Sequence, residues 1–258
     1  MIELNKTYNE SCFATIKNIP DKFIDLLWFS PPYWDVHKYS DSPEEIGNGQ
    51  TLEGYMDSLI MLADESRRIL KKQGNFVINI MDIVRDSVPV RLSDMCIEKF
   101  GLTFIERIVW YIRNKMPVAS DRRFVNKMEW VLHFALGDDY YFNKDLVRLK
   151  HSSYAEKDKR EWKFNSKGKC PGNVWDIKRL SVSGYNKFHI AGFPPELANM
   201  VIKAWCPEKG VVYDPFMGSG TTAVIARKLG CNFIGSEINP KYCDIANKRG
   251  GQAVIEFC

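Results

Sequence analysis

"VVYDPFMGSGTTAVIARKLGCNFIGSEI", residues 211–238, sets an apolar run, a glycine turn, an amphipathic stretch and a second apolar run in that order. The first run ends at Asp214, Gly218 and Gly220 shape the turn, and Thr221 opens a helix. Gly218-Ser219-Gly220-Thr221-Thr222-Ala223 fits the G-x-G-x-x-A fingerprint, in which a tight turn brings backbone N–H groups and a helix N-terminus against a nucleotide or nucleoside. Glu237 ends the next strand about 20 residues on, where an acid hydrogen-bonds ribose hydroxyls. A bare βα turn needs the glycines alone. Strand, helix and acid in register make this stretch a nucleoside site on a parallel sheet.

Only short segments follow Glu237, whereas in a dinucleotide-binding dehydrogenase this fingerprint opens its domain. The rest of the sheet therefore comes from the start of the chain. There "FIDLLWFS" (23–30) and "NFVINIM" (75–81) read as buried strands. Between them "TLEGYMDSLIMLADESRRILKK" (51–72) carries helical spacing, opened by Thr51 with Glu53 in the first turn. A further helix is predicted over 88–100, strands over 102–112 and 129–136, strands over 210–214, 231–238 and 252–258, and helices over 221–229 and 240–249. This alternation predicts an α/β fold: a Rossmann-like, mostly parallel sheet with helices on both faces.

The first of these strands runs into "FSPPYWDVHKYS", residues 29–40. Two prolines cannot continue a ladder, because neither nitrogen carries a donor and both φ values are fixed near −65°. The corner is rigid, and it presents Tyr33 and Trp34 where a structural turn would use Gly, Asn or Asp. Since ligands bind at the carboxyl ends of parallel strands, the Ser30-Pro31-Pro32-Tyr33 corner and the glycine turn share one sheet edge.

The 258 residues, 45% hydrophobic and 26% charged, suffice for a sizeable core, and nothing in them predicts a signal peptide or a membrane span. A cytoplasmic protein is expected. Seven scattered cysteines without a CxxC pair, and His37, His133 and His151 without ligand spacing, predict neither a disulfide framework nor a metal site. The net charge of +4 is mild, but it is concentrated. Between Gly137 and Tyr185, Lys144, Arg148, Lys157, Lys159, Arg160, Lys163 and Lys167 interleave with Tyr154, Trp162 and Phe164, a pattern suited to nucleic acid.

"SPPYW" (30–34), followed late in the chain by "HIAGFPPELANMVIKAW" (189–205) and "DPFMGSGTT" (214–222), resembles the β class of S-adenosylmethionine-dependent DNA amino-methyltransferases. The likeness runs over nearly the whole chain. It departs where many members carry Gly-Asp-Cys near the N-terminus, for this chain has Glu10-Ser11-Cys12. The resemblance implies residues 1–137 as the catalytic part, 138–185 as an inserted target-recognition region and 186–258 as the cofactor-binding part. It makes Ser30, Pro31, Pro32 and Tyr33 catalytic: the Ser30 hydroxyl and Pro31 carbonyl accept from the target amino group, and Tyr33 stacks on an extruded base. It assigns S-adenosylmethionine to Asp214, Phe216, Gly218, Gly220, Thr221, Thr222 and Glu237, with His189, Phe193 and Pro194 beside it; Asn79 and Asp82 are further candidates at the same edge. Double-stranded DNA is the expected partner, held by Lys157, Lys159, Arg160, Arg122 and Arg123. A homodimer and a cognate restriction endonuclease are admitted as further partners. Ser30, where adenine enzymes use Asp or Asn, favours cytosine N4 as acceptor. Adenine N6 and a catalytically inactive DNA-binding relative stay open.

Overall fold

Residues 24–29 form the strand on which the fold turns, β2 (Ile24–Phe29), and all six of its residues are buried. Its side chains alternate as a strand's must: Leu27 and Phe29 enter one apolar layer, Leu26 and Trp28 the other. A strand with no polar face has to be central and covered on both sides. The computed structural model describes residues 2–35, 38–83, 86–115, 122, 124–150, 165–179 and 192–252.

Among these, the elements are β1 (Lys6–Tyr8), α1 (Cys12–Asn18), β2, α2 (Leu52–Ile69), β3 (Leu70–Ile80), α3 (Val88–Glu98), β4 (Thr103–Tyr111), β5 (Met128–Ala135) and β6 (Val174–Asp176). Then come α4 (Pro195–Trp205), β7 (Val211–Asp214), α5 (Thr221–Lys228), β8 (Asn232–Ser236) and α6 (Pro240–Gln252). The strands form one sheet in the order β1-β8-β7-β2-β3-β5-β4-β6. Every pairing is parallel except those of β5, which runs against both β3 and β4. The mostly parallel α/β sheet expected from the sequence is present.

Side chains of α1, α2 and α3, among them Ile16, Tyr55, Leu59, Leu62 and Leu92, fill one layer. Leu197, Val201, Ile202, Ala226 and Ala246 of α4, α5 and α6 fill the other, around Trp28 and Trp110. The helix after β2 thus covers one face and the helix after the adjacent β7 covers the other. A crevice opens between the carboxyl ends of these two strands for that reason.

Thr51 caps α2 as expected, its Oγ1 accepting from Gly54 N at 3.1 Å. The helix stops at Ile69, however, and 70–72, read as its last turn, begin β3 instead. Gln252, read as the start of a last strand, ends α6, and the remainder of that strand, 253–258, lies outside the described residues. Three short elements escaped the periodicity reading: β1, α1 and β6, the last within the stretch read as an irregular insert. No helix among the described residues is long and apolar enough to cross a membrane.

Candidate active site

At the carboxyl end of β2, Ser30, Pro31, Pro32 and Tyr33 line one wall of a cleft. Pro215 and Phe216 after β7 and Glu237 and Ile238 after β8 line the same cleft, so two motifs about 190 residues apart in sequence meet at one edge. Glu10, Ser11 and Cys12 at the start of α1 also line it. Tyr39, Glu44, Glu45, Ile46 and Tyr242 complete the lining.

The glycine turn is held as a unit. Asp214 is 1% exposed, and its carboxylate accepts from Phe216 N at 3.0 Å and from the Thr222 hydroxyl at 2.5 Å. Burial pushes its pKa up to about 7, although both donors pull the other way. Gly218 has φ +55° and donates its N–H to Glu237 Oε2 at 2.8 Å. The other oxygen, Oε1, accepts from Asn239 N at 2.8 Å. Burial also raises the Glu237 pKa above the usual carboxylate value, and these backbone donors again oppose it. Gly220 has φ +87°, and a Cβ there would come within 2.7 Å of Ala246 Cα. Its glycine is therefore demanded by the packing of α6 on the turn.

The sequence-predicted cofactor set thus divides. Phe216 and Glu237 line the cleft directly. Asp214, Gly218, Gly220 and Thr222 shape the turn beneath them, and Thr221 begins α5. Phe193 packs 5.0 Å from Trp28 in the layer on the far side of the sheet, and Pro194 caps α4. Asp82 accepts from Trp130 Nε1 at 2.8 Å and Ser87 Oγ at 3.1 Å. Trp34 Nε1 donates to Gln50 O at 2.9 Å, which pins the chain after the corner. Arg122 is exposed; His189, Lys157, Lys159, Arg160 and Arg123 lie outside the described residues, as do His37 and His151. His133 is fully buried and pairs through Nε2 with Asn75 Oδ1 at 2.8 Å, an interior role.

Three features of the site were not read from the sequence. The first is the segment 39–45: Glu45 accepts from Tyr39 N, Ser40 N and Ser40 Oγ at 2.7 to 2.9 Å, and Asn239 Nδ2 holds Tyr39 O at 2.7 Å. The Glu45 bonds close the segment on itself, and the Asn239 bond ties it to the chain just after β8. The second is Glu10, which lines the cleft beside Ser11, so an acid is present one residue from the position where the family motif has one. Its Oε1 accepts from Thr15 Oγ1 at 2.9 Å. The third is Glu129, 2% exposed, whose Oε2 accepts from the Tyr33 hydroxyl at 2.9 Å.

A sheet with this switch point, a rigid Ser-Pro-Pro-Tyr corner and a glycine turn answered by an acid defines a nucleoside-dependent α/β enzyme. Residues 24–248 match the DNA methylase family of N6 and N4 methyltransferases, and the chain belongs to that family, whose methyl donor is S-adenosylmethionine. The type II methyltransferase M1.MboII of Moraxella bovis is 29% identical over 271 residues, covering 96% of each chain. M.ScaI of Streptomyces caespitosus, also a type II methyltransferase, is 30% identical over 249 residues, covering 93% of this chain and 79% of its own. Among solved structures, the cytosine-N4-specific PvuII DNA methyltransferase superposes with a TM-score of 0.72 at 18% identity, covering 97% of this chain and 93% of the other.

Proposed function

We propose that this chain is a site-specific methyltransferase that moves a methyl group from S-adenosylmethionine to the exocyclic N4 amino group of cytosine in duplex DNA, with the target base extruded into the cleft. The observation that carries this reading is that Ser30 and Glu237, drawn from opposite ends of the chain, line one cleft. That cleft can hold an amino acceptor and a ribose-bearing donor together.

The residues suit the donor. Glu237 offers a carboxylate fixed by two backbone N–H groups, each of its oxygens keeping a lone pair for a ribose hydroxyl. Phe216, Ile238, Ile46 and Tyr39 supply apolar and aromatic surface for a purine, with Phe216 backed by Phe29 at 5.5 Å. When bound, the donor supplies an electrophilic methyl on a sulfonium.

The corner suits the acceptor. An exocyclic amino nitrogen is a weak nucleophile because its lone pair is delocalised into the ring. Acceptors on both amino protons localise that pair, and Ser30 Oγ and the Pro31 carbonyl are the acceptors this chain offers. The two prolines fix these oxygens before a base arrives, so no reorganisation is needed during reaction. A target nitrogen is inaccessible inside a duplex, so the base has to leave the stack. A neutral Ser30 hydroxyl, rather than a carboxylate or amide, supports cytosine, whose neighbouring N3 is the more basic ring nitrogen.

Residues 138–185 form the target-recognition region in this reading, with Lys157, Lys159 and Arg160, joined by Arg122 and Arg123, meeting phosphates. The type II relatives support a cytoplasmic role beside a cognate restriction endonuclease. Digestion to nucleosides and mass spectrometry of DNA treated with the protein and S-adenosylmethionine tests the assignment. N4-methylcytosine is expected; N6-methyladenine without N4-methylcytosine overturns it.

A further inference from the structure

The hydroxyl assigned as an acceptor has one proton of its own, and where that proton points decides whether Ser30 attracts or repels an amino group. Ser30 Oγ lies 3.3 Å from the Tyr33 hydroxyl, and either oxygen could be the donor. That link is loose for two hydroxyls, which favour about 2.7–2.8 Å. It cannot set its own direction. The next link is stronger: the Tyr33 hydroxyl donates to Glu129 Oε2 at 2.9 Å, in a buried pair with a carboxylate. Charge-assisted bonds of this kind are roughly twice as strong as neutral ones.

Glu129 Oε2 is built to receive. Asn79 Nδ2 also donates to it at 3.2 Å and turns its other hydrogen to Trp130 O at 3.3 Å, so the Asn79 amide faces the carboxylate with a donor. Oε1 has no hydrogen-bond partner among the described residues, and Glu129 is 2% exposed. The carboxylate therefore leans on two donors, both at one oxygen. Burial, and after it the Glu129 charge, holds the Tyr33 pKa well above its ordinary value, which keeps the phenol proton in place. The charged surroundings include Lys115 and Arg179: Glu129 supports the Lys115 ammonium against the burial that weakens it, and Arg179 acts on Lys115 and Tyr33.

We propose that Glu129 is a positioning residue that fixes the direction of the chain Ser30–Tyr33–Glu129, so that Ser30 Oγ meets the target amino group as an acceptor. With the Tyr33 proton committed to Glu129, the Tyr33 oxygen can only accept from Ser30. The Ser30 proton then turns inward, and its lone pairs face the cleft. Without an acceptor at 129, the Tyr33 proton turns to Ser30, the Ser30 proton is displaced toward the cleft, and two donors confront each other. Tyr33 is then the link through which a carboxylate 96 residues away in sequence acts on the reacting amine.

This inference rests on the acceptor role of Ser30 proposed above. Its test is the single-turnover rate of methyl transfer to DNA for wild type, Glu129→Gln and Glu129→Leu, each also in a Ser30→Ala background, with S-adenosylmethionine and DNA affinities measured alongside. Glu129→Gln keeps an oxygen for Tyr33 without the charge and should slow transfer about tenfold. Glu129→Leu removes the acceptor and should slow it about a hundredfold, the scale of a lost charge-stabilising group in an active site. Neither should alter the affinities. In the Ser30→Ala background all three residues at 129 should give the same rate. An equal loss in both backgrounds, or no loss in either, overturns the proposal. Should the leucine variant not fold, the isosteric glutamine variant decides alone. A wild-type protein that methylates no DNA would instead refute the functional reading beneath it.

Discussion

Replacing Asp214 by Asn should make the ligand-free protein more stable at pH 8 and leave it unchanged at pH 4. Asp214 is fully buried, and burial raises its pKa to about 7 from an ordinary 3.8. A group whose folded value is raised binds its proton more tightly in the native state, so the native protein holds more protons between the two values and loses stability as pH climbs between them. The difference corresponds to about 4 kcal/mol once pH exceeds 7. The hydrogen bonds are not the cause, since the Thr222 hydroxyl and the Phe216 amide both favour the charged form; the cost is burial. Asparagine keeps an uncharged oxygen for the Phe216 amide, and its NH2 can donate to the Thr222 hydroxyl, which turns to accept. Urea unfolding of wild type and Asp214→Asn between pH 4 and 8 gives the comparison. We expect the difference in unfolding free energy to grow from near zero to several kcal/mol, most of it between pH 5 and 7. Parallel curves would show that the native protein pays no burial cost at Asp214, and the account of the turn would be wrong.

Glu237→Gln should weaken S-adenosylmethionine binding by about 10- to 100-fold by calorimetry, the effect of losing hydrogen bonds to a charged group; an unchanged Kd would remove Glu237 from the ribose site. Gly220→Ala should cost about 2–4 kcal/mol, combining left-handed strain with the clash against α6, whereas Gly230→Ala, at φ +72° with nothing within 4 Å, should cost only about 1 kcal/mol. Equal drops in melting temperature would contradict the packing role given to Gly220. Neutralising Lys157, Lys159 and Arg160 together should lower DNA affinity and flatten its salt dependence without touching cofactor affinity; an unaltered salt slope would leave that stretch a solvated face.

Punctuation made much of this fold legible. The glycines at 218 and 220, the prolines at 31 and 32 and the acid at 237 each limit the backbone or the chemistry to a few choices, and their order along the chain required that distant segments share a sheet. Strand direction left no such mark. The sequence "EWVLHFAL" reads the same whether it runs with β3 or against it, and only the register, Asn75 opposite Ala135 through Ile80 opposite Trp130, reveals the reversal. The "ILKK" at 69–72 continues helical spacing, so the immediate passage from α2 to β3 was hidden. With three residues each, β1 and β6 are too short to show a period.

The site followed the same rule. Its corner and its acid were visible because rare residue combinations mark them, while Glu129 sits in a strand pattern as one polar residue among apolar ones, where it reads as a solvent-facing position. Its burial is decided by Tyr33 and Asn79, from two other strand ends. Asp214 and Thr222, read from the sequence as cofactor residues, are joined to each other by a hydrogen bond. A fingerprint identifies the turn that carries a ligand, but the same residues can act by shaping that turn.

The central claim is that the Ser30 to Tyr33 corner is where methyl transfer occurs. Transfer of labelled methyl from S-adenosylmethionine to duplex DNA by wild type and by Ser30→Ala, with cofactor affinity measured on both, tests it most directly. The account predicts label in DNA for wild type and a loss of about a hundredfold or more in rate for the variant, at unchanged cofactor affinity. Full turnover by Ser30→Ala would contradict it.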